Sequence, residues 1–125
     1  MSLTNAAEID ALNAALATAT HLALFTTQPN EAGAATEVTG GGYARVAVTW
    51  SAAAGTPTSS SNANQIDFPV ASSSWGTVMA IGAMTASSGG TMRAFTEGSG
   101  LNLNPTVASG QSVRFSAGAV VITMD

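Results

Sequence analysis

The chain has no cysteine, which excludes disulfides and thiolate metal sites and leaves the redox compartment unread. It also has no lysine: its basic residues are Arg45, Arg93 and Arg114. That absence excludes Schiff-base catalysis, a phosphate-loop lysine and lysine isopeptide crosslinks. Charge of either sign is scarce, at 8% of 125 residues, with a net charge of −4. Proteins that grip a nucleic-acid backbone do so through many Lys and Arg contacts, so nucleic acid is excluded as a partner. A free-standing domain usually has a surface about 25–35% charged. This one cannot, so its surface is neutral or is covered by partners. No apolar run reaches the roughly 20 residues of a membrane span, and no charged-then-apolar leader opens the sequence. The expectation is a soluble protein made in the cytosol, with no membrane partner.

What the chain does have is small residues. Ala, Gly, Ser and Thr supply 68 of its 125 positions. Such a density means either disorder or a thinly decorated β framework. A hydrophobic content of 46% argues against disorder. The length is that of one ordinary domain, which buries about two thirds of its unfolded surface and needs no staple.

One helix is expected, over Asn5–Ala17. Asn5 and Glu8 have the spacing of a capping pair, and Ile9, Leu12 and Leu16 form a narrow apolar stripe. It could dock on its own domain or on a neighbour. From His21 the pattern changes to short runs and period two. HLALFTT is a compact apolar strand ended by Gln28-Pro29-Asn30. Residues Glu31 to Gly42 form a polar loop. In YARVAVTW, alternation places Ala44, Val46, Val48 and Trp50 inward and Tyr43, Arg45, Ala47 and Thr49 outward. Ser51–Asn64 reads as a long polar loop. QIDFPV is a short strand pushed toward an edge by Pro69. TVMAIGAMTA is apolar on both faces and therefore central, with TMRAFT as its hairpin partner across SSGG. A Gly/Asn-rich connection, a strand at Thr106-Val107, a turn at Ser109-Gly110, SVRFS, a kink at Gly118 and AVVITM complete the chain. About seven or eight strands predict a mainly β fold: an antiparallel β-sandwich, jelly-roll or immunoglobulin-like, with one short N-terminal helix. The division is a helical segment over 1–20 and a β-sandwich domain over 21–125.

The glycine run Gly40-Gly41-Gly42 could be a phosphate cradle. A phosphate loop needs Gly-Lys-Ser/Thr and then a helix, whereas Tyr43-Ala44-Arg45 and a strand follow here. The glycines therefore read as a turn with positive φ. His21 is the only histidine, so any triad or histidine metal site must use it. It starts an apolar strand with no carboxylate near it in sequence, and no G-x-S-x-G elbow is present. Asn62, Asn64 and Asp67 offer oxygen donors, but not at the spacing of an EF-hand. No catalytic, cofactor or metal residue is assigned. The three arginines interrupt strands on their outer faces. They are either solvated charges or forks that pair with a carboxylate of a neighbouring subunit.

Five stretches, HLALFTTQPNEAG, TEVTGGGYARVAVTW, SWGTV, ASSGG and VASGQSVRFSAGAVVITMD, resemble a family of small tailed-phage virion proteins. Its members open with a short helix, pass through an "LALFT…P…GTEV.GGGYAR" block and end in an "AG…RF.AGAL.I" strand pair. The likeness runs from His21 onward and supplies no catalytic residues. It implies a virion component assembled in the host bacterial cytoplasm. Within that class the expected role is a capsid decoration or cement protein, homotrimeric and bound to the major capsid protein. The alternative is a tail-tip or tail-fibre-associated protein contacting other tail proteins. A reading of another class is a carbohydrate-binding β-sandwich module, with exposed Trp75 or Tyr43 as a stacking platform. Aromatic, methionine and arginine side chains are favoured at interface cores. The interface candidates are Leu12, Leu16, Tyr43, Arg45, Trp75, Met84, Arg93 and Arg114, and Trp50 is assigned to the core.

Overall fold

The computed structural model describes residues 3–56, 58–96 and 106–123. The Gly/Asn-rich connection over 97–105 lies outside the described residues, as do Pro57 and the two residues at each end. Among those described, the fold is mainly β, with antiparallel sheets and one short helix. No described helix is long and apolar enough to cross a membrane.

Helix α1 spans Asn5–Ala17, as expected, but its cap is one residue earlier than the spacing suggested. The Thr4 hydroxyl accepts from the Ala7 N–H at 3.3 Å. Asn5 is thereby freed to donate to Thr56, and the Glu8 carboxylate accepts from the Thr58 hydroxyl at 3.2 Å. Leu12 and Leu16 are buried in the main core, each burial stabilising by about 1.5–3 kcal/mol. The helix thus packs on its own chain.

Among the described residues ten short strands follow: β1 (His21–Phe25), β2 (Val46–Ala47), β3 (Ser59–Ser61), β4 (Ile66–Asp67), β5 (Gly76–Thr77), β6 (Ala80–Met84), β7 (Met92–Phe95), β8 (Thr106–Val107), β9 (Arg114–Phe115) and β10 (Val121–Thr123). A four-stranded sheet runs β2-β1-β6-β7, and three two-stranded ladders pair β10 with β3, β4 with β9 and β5 with β8. β6 is fully buried and central, because its residues are apolar on both faces. β1 lies against it with Leu22 opposite Ala83 and Leu24 opposite Ile81. Those four residues join Leu12, Leu16, Ile66, Phe68, Trp75, Val78, Val107 and Val120 in one core. On the other face Ala23, Phe25, Ala80 and Met84 form a second cluster, with Ala35 and Met92 packed against it. β7 is the hairpin partner of β6 across Ser87–Gly90, as expected.

The Ser51–Asn64 stretch is not a loop. It contains β3 and folds back on itself, with the Ala54 and Ser59 backbones bonded both ways at 2.9 Å. Its buried polar residues are Thr58, Ser60 and Asn62, beside a buried Ala53. Polar side chains can enter a core when every polar atom finds a partner. Asn62 Nδ2 donates to the carbonyls of Asn64 (2.7 Å) and Ser116 (3.0 Å), and its Oδ1 accepts from Val120 N (2.8 Å). Ser60 donates to the Ser51 carbonyl at 2.6 Å. Asn62 therefore replaces ladder bonds between β3 and the turn before β10.

Asn62→Ala removes three bonds at a residue only 1% exposed. Its expected cost is about 2–4 kcal/mol in urea unfolding. A loss under about 0.5 kcal/mol would show that this network does not hold β10 in place.

Candidate functional site

The segment Thr36–Val48 runs along β1 in two pieces. Near one end of β1, Thr26 N donates to the Thr36 carbonyl (2.8 Å) and Val38 N to the Leu24 carbonyl (3.0 Å). Near the other, β2 pairs Val46 with Leu22 and Ala47 with His21. Between the pieces the chain leaves the sheet through the three glycines, which have φ of 71°, 59° and 77°. Successive left-handed residues cost little only for glycine. The turn closes with Tyr43 N donating to the Gly40 carbonyl at 3.0 Å.

Gly41 also meets the core. A Cβ there would lie 2.8 Å from two atoms of the Trp75 indole and 2.9 Å from the Ser73 carbonyl oxygen. The Gly41 carbonyl accepts from the Trp75 indole N–H and from Ser72 N, both at 2.9 Å. Gly40 has no such neighbour.

The departure from the sheet leaves the Leu24 N–H without a strand acceptor. The Tyr43 hydroxyl supplies one at 3.0 Å and donates its own proton to Glu37 Oε2 at 2.6 Å. Arg45 takes the same carboxylate with its fork, Nε to Oε2 and Nη2 to Oε1, each at 2.8 Å. Its Nη1 donates to the carbonyls of Ala86 and Gly89 at 2.8 Å, so the β6–β7 turn is held too. The Tyr43 ring stacks on Phe68, with centroids 6.3 Å apart, and meets Trp75 edge-on at 5.5 Å.

Burial pushes the Glu37 carboxyl up, but the hydrogen bonds from Arg45 and Tyr43 and the guanidinium charge outweigh it, leaving it below 4.5. Burial first, and then its bond to Glu37, raise the Tyr43 phenol far above its ordinary value. The bond to Glu37 raises Arg45 further. The cluster is a neutral phenol and one fixed ion pair, which position backbone and offer no proton near neutral pH.

The outward assignment of Tyr43 and Arg45 is corrected here. Tyr43 packs against the core, the Arg45 side chain is only 7% exposed and Ala44 is the exposed residue. Strand alternation fails because only Val46 and Ala47 are strand. The Arg45 fork, expected either to be solvated or to pair with a neighbouring subunit, is taken instead by Glu37 of its own chain. Trp75 is 5% exposed, so the stacking platform proposed for it is absent: its indole is buried against Gly41 and Tyr43. Met84 lies in the second cluster, and Trp50 is half-buried with its N–H on the Ala19 carbonyl at 2.8 Å. Arg114 is exposed and pairs with Asp67, its register partner, at 2.5 Å. Hydrogen bonding from Gln65 first, and Arg114 second, holds the Asp67 carboxyl below its ordinary value. Arg93 is exposed on β7. Of the interface candidates, then, the fold gathers Tyr43, Arg45 and Trp75 at one place and leaves Arg93 and Arg114 apart on the surface.

The oxygen donors Asn62 and Asn64 are occupied by backbone, Asn64 Oδ1 accepting from Thr49 N at 2.9 Å. No group of three His, Asp or Glu that could hold a metal occurs among the described residues. His21 Nδ1 bonds to the neighbouring Thr20 hydroxyl at 2.9 Å. Sequence reasoning missed Glu37 as the hub. The available signal was an acid and an arginine bracketing one glycine turn.

Two expectations follow. Gly41→Ala, with both a clash and left-handed strain, should destabilise by about 2–4 kcal/mol, and Gly40→Ala by only about 1–2 kcal/mol from strain. Equal costs in thermal melts would contradict the contact with Trp75. For Glu37 the folded value lies below the unfolded one, so its stabilisation is present above about pH 4.5 and lost as pH falls through the folded value. The melting temperature should hold from pH 7 to about 5 and drop below 4.5. Glu37→Gln should lower it at pH 7 and flatten that acid limb.

A family model described as podophage GP4 fiber I protein gp80 matches residues 3–123. No curated protein and no solved structure matches the chain.

Proposed function

Because the chain belongs to the podophage GP4 fiber I protein gp80 family, a phage virion structural family, we propose that it is a non-enzymatic subunit associated with the virion's fibre. The observation that carries this reading is the reach of the match, which takes in the helix and every described strand. The chemistry of the molecule supports it. Among the described residues the buried ionisable cluster, Glu37–Tyr43–Arg45, is spent on backbone and on itself. Its mechanism is binding: to further copies of itself and to neighbouring tail proteins, with no nucleic acid and no membrane. A low-charge, Ser/Thr/Ala-rich surface suits contacts made by shape and backbone hydrogen bonds.

A second reading is head decoration, with the major capsid protein as partner. One feature favours it: the sequence carries none of the heptads or repeats that build a fibre shaft.

Particles lacking this protein separate the two. Purified protein mixed with their heads, and separately with their tails, should co-sediment with tails at a fixed ratio. Saturation of heads at a fixed ratio to the capsid protein would transfer the role to decoration. Binding to neither would overturn both readings.

A further inference from the structure

Helix α1 and the segment that follows β2 border an open cavity of about 540 Å³. Asn13, Leu16 and Ala17 form one wall, residues 48–52 form the other, and Ala19 and Thr20, just past the helix, complete the lining. None of these residues is charged. One is aromatic: Trp50, half-buried and packed against the core. Its indole N–H is already spent on the Ala19 carbonyl at 2.8 Å. That bond fixes the ring, so what Trp50 offers the cavity is carbon surface. Two neutral polar side chains in the walls are each held by a bond to the protein. Asn13 Oδ1 accepts from Ala53 N at 2.9 Å, which orients the amide. Its Nδ2 has no acceptor among the described residues and is left as a donor. Thr49 Oγ1 donates its proton to Asn64 Oδ1 at 3.1 Å and so is left as an acceptor.

A concave, partly apolar wall with a few oriented polar groups is the usual make-up of a small-molecule site. The ligand that fits this one lays an apolar face on an indole, accepts from an amide, donates to a hydroxyl and carries no charge. A neutral saccharide has all four properties. Its ring C–H groups form an apolar face, and the hydroxyls around its rim both donate and accept. We propose that the cavity binds one neutral pyranose ring, stacked on Trp50, with one hydroxyl accepting from Asn13 Nδ2 and another donating to Thr49 Oγ1. Phosphorylated and carboxylated ligands do not fit, because an anion here would lose hydration and meet no cation. An aliphatic ligand would leave the Asn13 amide and the Thr49 oxygen without partners. Trp50, assigned to the core from its place in an alternating stretch, thus takes the stacking role that buried Trp75 cannot. The site stands whether the protein sits on the tail or on the head.

Proton–nitrogen NMR of the full chain tests it. The chain has two tryptophans and hence two indole N–H signals, and the signal missing from Trp50→Leu is that of Trp50. The probes are the methyl glycosides of glucose, galactose, mannose and N-acetylglucosamine, with glucuronic and N-acetylneuraminic acids as charged controls. At least one neutral glycoside should move the Trp50 signal saturably at millimolar concentration and leave that of Trp75 in place, while the acids move neither. Asn13→Asp keeps an oxygen to accept from Ala53 N and removes the donor, so it should weaken binding by about tenfold. Asn13 is exposed, so this variant should give an unchanged circular dichroism spectrum and serves as the test even where Trp50→Leu does not fold. A folded Trp50→Leu should lose the response of its backbone amides over residues 48–52. A Trp50 signal that no neutral glycoside moves, a response at Trp75 alone, acids that bind as well as the neutral sugars, or an Asn13→Asp protein that titrates like the wild type would each overturn the site.

Discussion

The rest of this structure depends on satisfying one backbone group, the N–H of Leu24. β1, like β6, contributes to both clusters, with Leu22 and Leu24 on one face and Ala23 and Phe25 on the other. Its outer edge must nevertheless be completed, since an orphaned buried N–H costs about as much as a lost hydrogen bond. Two pieces of one segment do this, and the gap between them falls at Leu24. The Tyr43 phenol fills it, Glu37 holds the phenol, and Arg45 holds Glu37 and the β6–β7 turn. The three glycines follow from that arrangement. The chain must swing out over Trp75 and return within a few residues, and only left-handed backbone without a Cβ does so here.

This explains why a glycine-rich run followed by an aromatic and an arginine can look like a ligand loop and yet serve the fold. Its polar side chains point at carbonyls, an amide and one another. The arginine's planar fork is used fully, two nitrogens on a carboxylate and one on two carbonyls, which a lysine could not match.

Much of the β framework was legible in the sequence. The helix limits, the central position of Ala80–Met84 and its hairpin were readable because those segments are apolar with unambiguous periodicity. The positive-φ turn was readable from glycine alone. What escaped was polar. In Thr58–Asn62 the inward residues are Thr58, Ser60 and Asn62, so no apolar alternation marks the strand. In Tyr43–Trp50 the alternation fails at its start, because β2 begins only at Val46 and the Tyr43 hydroxyl is turned in to Leu24 N. Of the cluster, Tyr43 and Arg45 were picked out as reaching outward, when Glu37 turns them in. Hydrogen-bond partners far apart in sequence carry no periodic signal, and that is where the misreadings lie.

The ladders of the described fold join distant parts of the chain. Ser59–Ser61 pairs with Val121–Thr123, and Ile66 with Phe115. Closing such long loops costs entropy before any contact returns it, so folding rates fall as pairing becomes less local. The α1–β3 side of the core stays open until β10 has been synthesised and arrives. Ser60 and Asn62 meanwhile face water, which they tolerate better than leucine would. The polar lining of that strand, awkward in a finished core, leaves little apolar surface bare on β3 while β10 is unpaired.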